Sequence, residues 1–144
     1  MLKLNEELAG RVCAHAAESY PHECCGALLG RDAEDGREVL GLLPLVNRRG
    51  DSPHNRFAIT AEDFRAAEQT ARDRGMELIG WYHSHPDHPA EPSEYDREQA
   101  WPWYSYLIVS LEGREAKQMT AWRLADDRSQ FAPEAIQVAT RAPV

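Results

Sequence analysis

The stretch Met76-Glu77-Leu78-Ile79-Gly80-Trp81-Tyr82-His83-Ser84-His85-Pro86 decides how the chain is read. From Met76 to His83 it is apolar enough to be a central strand, and Pro86 ends it just past two histidines. Successive side chains on a strand point to opposite faces, so His83 and His85 share one face. Their Cβ atoms then lie roughly 6–7 Å apart, and the two imidazoles can converge on one metal ion. Two hydrogen-bonded structural histidines are the commoner meaning of a lone H-x-H. Placement at a strand mouth, where loops build sites, favours a site here.

Working outward, residues 5–19 form a helix pattern, with Asn5 as N-cap, Glu6 and Glu7 at its positive end, and an apolar stripe of Leu4, Leu8, Val12 and Ala16. Pro21 stops it. Residues 24–30 are short, apolar and Gly-bounded, a buried strand, and a turn at Asp35-Gly36 leads to a second strand over 38–46. Pro44 marks an edge or a break near the end of that strand. Residues 47–56 are a loop, and Phe57-Ala58-Ile59 suits a brief strand. Thr60 opens a helix over 61–74, with Asp63 in a capping box and Gly75 as its stop. A Pro-rich loop leads to a short helix over 93–100, and strands at 104–111 and 116–124 close a hairpin. One α/β domain over residues 1–126 is expected, and the tail over 127–144 has signals too weak to assign.

The composition sets bounds. The 144 residues suit one domain with a single core, and a 42 % apolar share is ordinary for a globular chain. No window approaches the roughly 18 apolar residues of a membrane-spanning helix. The first residues carry acids and no apolar signal core, so a cytoplasmic protein is expected. A net charge of −8 argues against nucleic acid as a partner. Cys13, Cys24 and Cys25 form no CxxC pair, and they read as small buried hydrophobes in a reducing compartment.

Two further pieces of sequence bear on chemistry. Ser93-x-x-Asp96 is a helix capping box, and an aspartate engaged in capping is not expected to face a metal as well. Glu23 precedes the first buried strand, so it is either a general base at a strand mouth or a solvated loop acid. Position leaves both open.

Together these residues resemble the JAMM (MPN-plus) zinc metallopeptidases, the isopeptidase family that includes deubiquitinating enzymes. That signature is an upstream Glu, then H-[ST]-H-P and, after a fixed gap, Ser-x-x-Asp. Here it runs Glu23; His83-Ser84-His85-Pro86; seven residues from Pro86 to Pro92; Ser93; Asp96. Pro21 to Gly30 and Gly80-Trp81-Tyr82 resemble the flanking context, and the likeness extends over about residues 5–124. The resemblance implies an MPN-type (cytidine-deaminase-like) fold, a mixed curved β-sheet flanked by helices. It implies one Zn²⁺ on His83, His85 and Asp96 with water as fourth ligand, Glu23 as general acid and base, and Ser93 as oxyanion donor. Only Arg97 to Trp103 separate Asp96 from the next strand, too few for the insertion that grips a second ubiquitin. The chain is therefore similar to the minimal prokaryotic form. The partner so implied is a ubiquitin-like or sulfur-carrier protein ending in Gly-Gly.

A non-catalytic module that docks such a partner is the competing expectation, although related modules usually lose their ligands. A zinc nucleoside deaminase is excluded, because H-x-E and P-C-x-x-C are missing. His88 is expected to be a loop residue without a metal role, and His54 and Asn55 to flank the groove at most. Trp101-Pro102-Trp103 is expected to cover the core, and His15 and His22 to be structural.

Overall fold

The computed structural model describes residues 1–46 and 59–140. The elements run β1 (Leu2–Asn5), α1 (Glu6–Ser19), β2 (Cys25–Ala33), β3 (Gly36–Leu45), α2 (Ala61–Asp73), β4 (Glu77–Pro86), α3 (Glu94–Gln99), β5 (Ser105–Glu112), β6 (Glu115–Leu124), β7 (Phe131–Glu134) and β8 (Ile136–Ala139). Among the described residues they build a sheet of order β7-β6-β5-β4-β2-β3-β1-β8. It is mixed: β4 runs parallel to β5, and β1 parallel to both β3 and β8, while the other pairs are antiparallel. His54, Asn55, Phe57 and Ala58, with the loop expected over 47–56, lie outside the described residues. Ile59 is not in a strand.

The helices start and stop where their caps direct. Asn5 Oδ1 accepts the Leu8 N–H at 2.8 Å, and Thr60 and Asp63 close a reciprocal capping box. Gly75, at φ +70°, supplies the left-handed residue after α2. Leu8, Val12 and Ala16 of α1 pack with Leu28, Ile79, Tyr82, Leu107 and Val109. A second core gathers Ala67 and Ala71 of α2 with Ala27, Leu29 and Trp81, and Phe64 and Trp101 pack against it. β4 lies between the two cores and is almost wholly buried, as its apolar run requires.

Two departures from the sequence expectations concern the termini. Leu4 belongs to β1 rather than to a helical stripe; its burial against α1 is the same, but by way of a strand. The unassigned tail supplies β7 and β8. These flank the single residue Ala135, yet one pairs with β6 and the other with β1 at the opposite end of the strand order. One short segment therefore joins both edges, with Leu2 N–H donating to the Ala135 carbonyl at 2.8 Å, and the sheet must curl to allow it. Pro44 lies on the part of β3 beyond β1's contacts at Arg37 and Glu38, where a missing N–H is tolerated.

Arg37 is only 1 % exposed and ties four elements. Its guanidinium donates to Asp32 Oδ1 (3.0 Å), the Ile79 carbonyl (3.1 Å) and Ser105 Oγ (3.1 Å), beneath the Trp103 ring at 4.0 Å.

Candidate metal centre and catalytic cleft

The register of the sheet brings the site together. β2 and β4 are antiparallel with Cys25 opposite His83, so the entry to β2, where Glu23 stands, lies beside the exit of β4, where His85 stands. The parallel neighbour β5 faces the same stretch, pairing Ile108 with His83 and Ser110 with His85. Asp87, at φ +58°, turns the chain away from β4, and the Pro-rich loop then delivers α3 with Ser93 as its N-cap.

His83 Nε2 and His85 Nε2 are 3.1 Å apart, and Asp96 Oδ2 lies 3.3 Å from the first and 3.1 Å from the second. All three residues are buried. A tetrahedral ion with ligand bonds near 2.0 Å has ligand–ligand edges of about 3.3 Å, so this triangle is one face of such a shell. The donor set of two imidazole nitrogens and one carboxylate oxygen suits zinc. His85 Nδ1 lies 2.8 Å from the Pro89 carbonyl, and donating there leaves its Nε2 lone pair aimed at the centre. The residues fit the metal that the sequence motif implies.

Electrostatics agree with the geometry. Burial pushes the His83 imidazole toward its neutral form, more than the Asp96 carboxylate pulls it back. Burial is the largest single influence on His85 and acts in the same sense, but the hydrogen bond and charge of Asp96 together with the Pro89 carbonyl overcome it, and the net shift is upward. Burial alone would raise the Asp96 pKa. The two imidazoles overcome it and hold the carboxyl well below the usual range, so this candidate ligand is anionic.

Asp96 corrects one sequence expectation. Its Oδ2 accepts the Ser93 N–H at 2.9 Å in a full capping box, and the same oxygen faces both histidines. Capping and facing the metal site are compatible because a carboxylate oxygen carries two lone pairs. Ser93 Oγ in turn accepts the Asp96 N–H at 3.0 Å, which leaves the serine's own proton available to the cleft.

Glu23 is not a solvated loop acid: it is 5 % exposed. It lines a cleft with His85, His88, Pro89, Glu91, Pro92 and Ser93. A more apolar cavity adjoins the other side of the centre, between His83, Asp96, Trp101, Tyr106, Ile108 and Phe131. His15 is structural, 2.7 Å from the Tyr82 hydroxyl through its Nδ1. Trp101 covers the core against Phe64, as expected, whereas Trp103 stands 45 % exposed. Cys24 and Cys25 are buried free thiols. Ser84, Tyr20 and the Pro89 carbonyl were not singled out by sequence. Of these only Ser84 left a trace, as the residue between the histidines.

Comparison with known proteins agrees with this fold. Residues 5–125 match the family described as prokaryotic homologs of the JAB domain. The desampylase of Haloferax volcanii is 34 % identical over 118 residues, covering 78 % of this chain and 83 % of its own length. The CysO-cysteine peptidase of Mycobacterium tuberculosis is 27 % identical over 132 residues, covering 88 % and 84 %. A solution structure of a protein from Desulfitobacterium hafniense, 31 % identical, superposes with a TM-score of 0.85 over 98 % of this chain and 94 % of that one. The α/β fold is thus of the MPN type. The chain belongs to the prokaryotic JAB-domain family, and it is an enzyme of the JAMM peptidase type. No helix among the described residues is long and apolar enough to cross a membrane.

Proposed function

We propose that the chain is a zinc-dependent peptidase that hydrolyses the bond following the C-terminal Gly-Gly of a ubiquitin-like or sulfur-carrier protein, in the cytoplasm. The observation that carries this is the buried triangle of His83, His85 and Asp96 beside a cleft that also holds Glu23 and Ser93. His83, His85 and Asp96 would hold the ion. When bound, zinc supplies a Lewis acid and lowers the pKa of water toward about 7.

The chain's own residues supply the rest. Glu23, buried beside the substrate cleft, takes the proton of the attacking water and hands it to the departing amine nitrogen. A carboxylate of ordinary basicity suffices once the water is acidified. Ser93 donates its free proton to the oxygen that gains charge at the scissile carbonyl, a contact worth about 3 kcal/mol in the transition state. Asp96 stays anionic throughout, and the Pro89 carbonyl keeps His85 in one tautomer.

The names of the relatives support a small protein tag as substrate, and the tag's Gly-Gly end suits a narrow approach, because glycine lets a backbone come closest to buried groups. A docking module without catalysis is the weaker reading, since every residue the chemistry needs is present, in the triangle or in the cleft beside it. Metal analysis of the purified protein should find about one zinc per chain, lost in His85→Ala. Glu23→Gln should keep its zinc and no longer cleave a Gly-Gly-linked fusion. Full cleavage by metal-free protein, or by Glu23→Gln, would sink the mechanism.

A further inference from the structure

Glu23 stands just outside β2, whose ladder to β4 begins at the pair Cys25 and His83. Its position therefore depends on the next pair outward, Cys24 and Ser84. There the Ser84 N–H donates to the Cys24 carbonyl at 3.2 Å, as in a regular antiparallel pair. The return bond is different. The Cys24 N–H donates to the Ser84 hydroxyl, at 2.8 Å, where a regular pair would offer a carbonyl. Ser84 is fully buried, and strand alternation turns its side chain away from the face that carries His83 and His85. It takes no part in the metal centre, yet its backbone sits between the two histidines.

We propose that Ser84 is a positioning residue: its hydroxyl anchors the entry to β2 and thereby holds the Glu23 carboxylate in the cleft shared with His85 and Ser93. The proposal rests on the peptidase function put forward above. A second tie joins the same two segments farther out, where the Tyr20 hydroxyl donates to Asp87 Oδ2 at 2.6 Å. That one is exposed, and water competes for both partners. The inner tie is dry: Cys24 is 2 % exposed and Ser84 0 %, so loss of the hydroxyl leaves a buried N–H without its acceptor. The segment must then shift to satisfy it, and Glu23 is the adjacent residue. A misplacement of about 1 Å in a reacting group can cost on the order of 100-fold in rate.

The test compares Ser84→Ala with Ser84→Thr, which keeps the hydroxyl. Amide exchange at Cys24 is measured by NMR on metal-free protein; kcat, KM and bound zinc are measured with a Gly-Gly-linked fusion. Ser84→Ala should speed Cys24 exchange about tenfold or more. It should lower kcat roughly 10- to 100-fold, with KM within about twofold and zinc still bound. Ser84→Thr should restore both readouts. Native exchange and native kcat in Ser84→Ala, or zinc lost in step with rate, would overturn the proposal. A wild-type protein that cleaves no such fusion would overturn the proposed substrate instead, and Cys24 exchange, which needs neither metal nor substrate, would still decide whether Ser84 anchors the segment.

Discussion

Ser93 does two jobs through one hydroxyl: the oxygen caps α3 by accepting the Asp96 N–H, and the proton is left for the cleft. Its replacement should therefore show on two scales of energy. From the proposed oxyanion role, Ser93→Ala should lower kcat by about 10²–10³. Loss of the cap alone would cost about 1 kcal/mol of stability, visible in the melting temperature. Measuring both separates the roles. The cysteines are a second residue-scale case. Burial pushes the Cys24 and Cys25 thiols up to about 12, and it raises Cys13 as well. Thiolate is the reactive form, so at pH 8 iodoacetamide should label half-buried Cys13 first and reach Cys24 and Cys25 only on unfolding. The same shift has a sign in stability. Above about pH 9 the unfolded thiols ionise while the folded ones do not, so the folded state binds more protons and stability falls as pH rises. Urea titrations at pH 8 and pH 10 check this.

At the scale of elements, α2 was legible in sequence because all its signals are local. Thr60, Asp63 and Gly75 act within one or two turns, and the capping box and the left-handed stop appear where they were expected. Thr60→Ala should cost about 1 kcal/mol in a denaturant titration, with no change in metal content, since α2 carries none of the proposed ligands. β1 was not legible, for the opposite reason. The apolar residue Leu4 satisfies a helical spacing and a strand equally, and the choice is made by pairing with β3 and β8, which lie more than thirty residues away. The box at Ser93 and Asp96 shows a local signal that was right and incomplete. Spacing identifies the cap, but only the approach of β4 adds the two histidines to the same carboxylate oxygen.

At the scale of the whole molecule, residues 131–139 join both edges of the sheet. A chain ended at Gln130 would leave β6 and β1 with open edges and uncover part of the second core, where Phe131 packs. It should melt at lower temperature and aggregate more readily, measured by scanning calorimetry and light scattering against the full chain. The order and type of the central elements, the histidine pair and the Ser-x-x-Asp cap were readable from the sequence, because hydrophobic periodicity and caps are written over short distances, whereas Glu23 stood out only through the family resemblance. Tertiary structure decided the rest. It brought Glu23 beside His85 across 62 residues, buried Arg37 under Trp103, closed the sheet with the weakly patterned tail, and set Ser84 against Cys24. Each of these depends on strand register and on burial between distant segments. The opening histidine pair becomes a candidate metal centre only when the loop after β4 brings Asp96 of α3 to within 3.3 Å of both imidazoles.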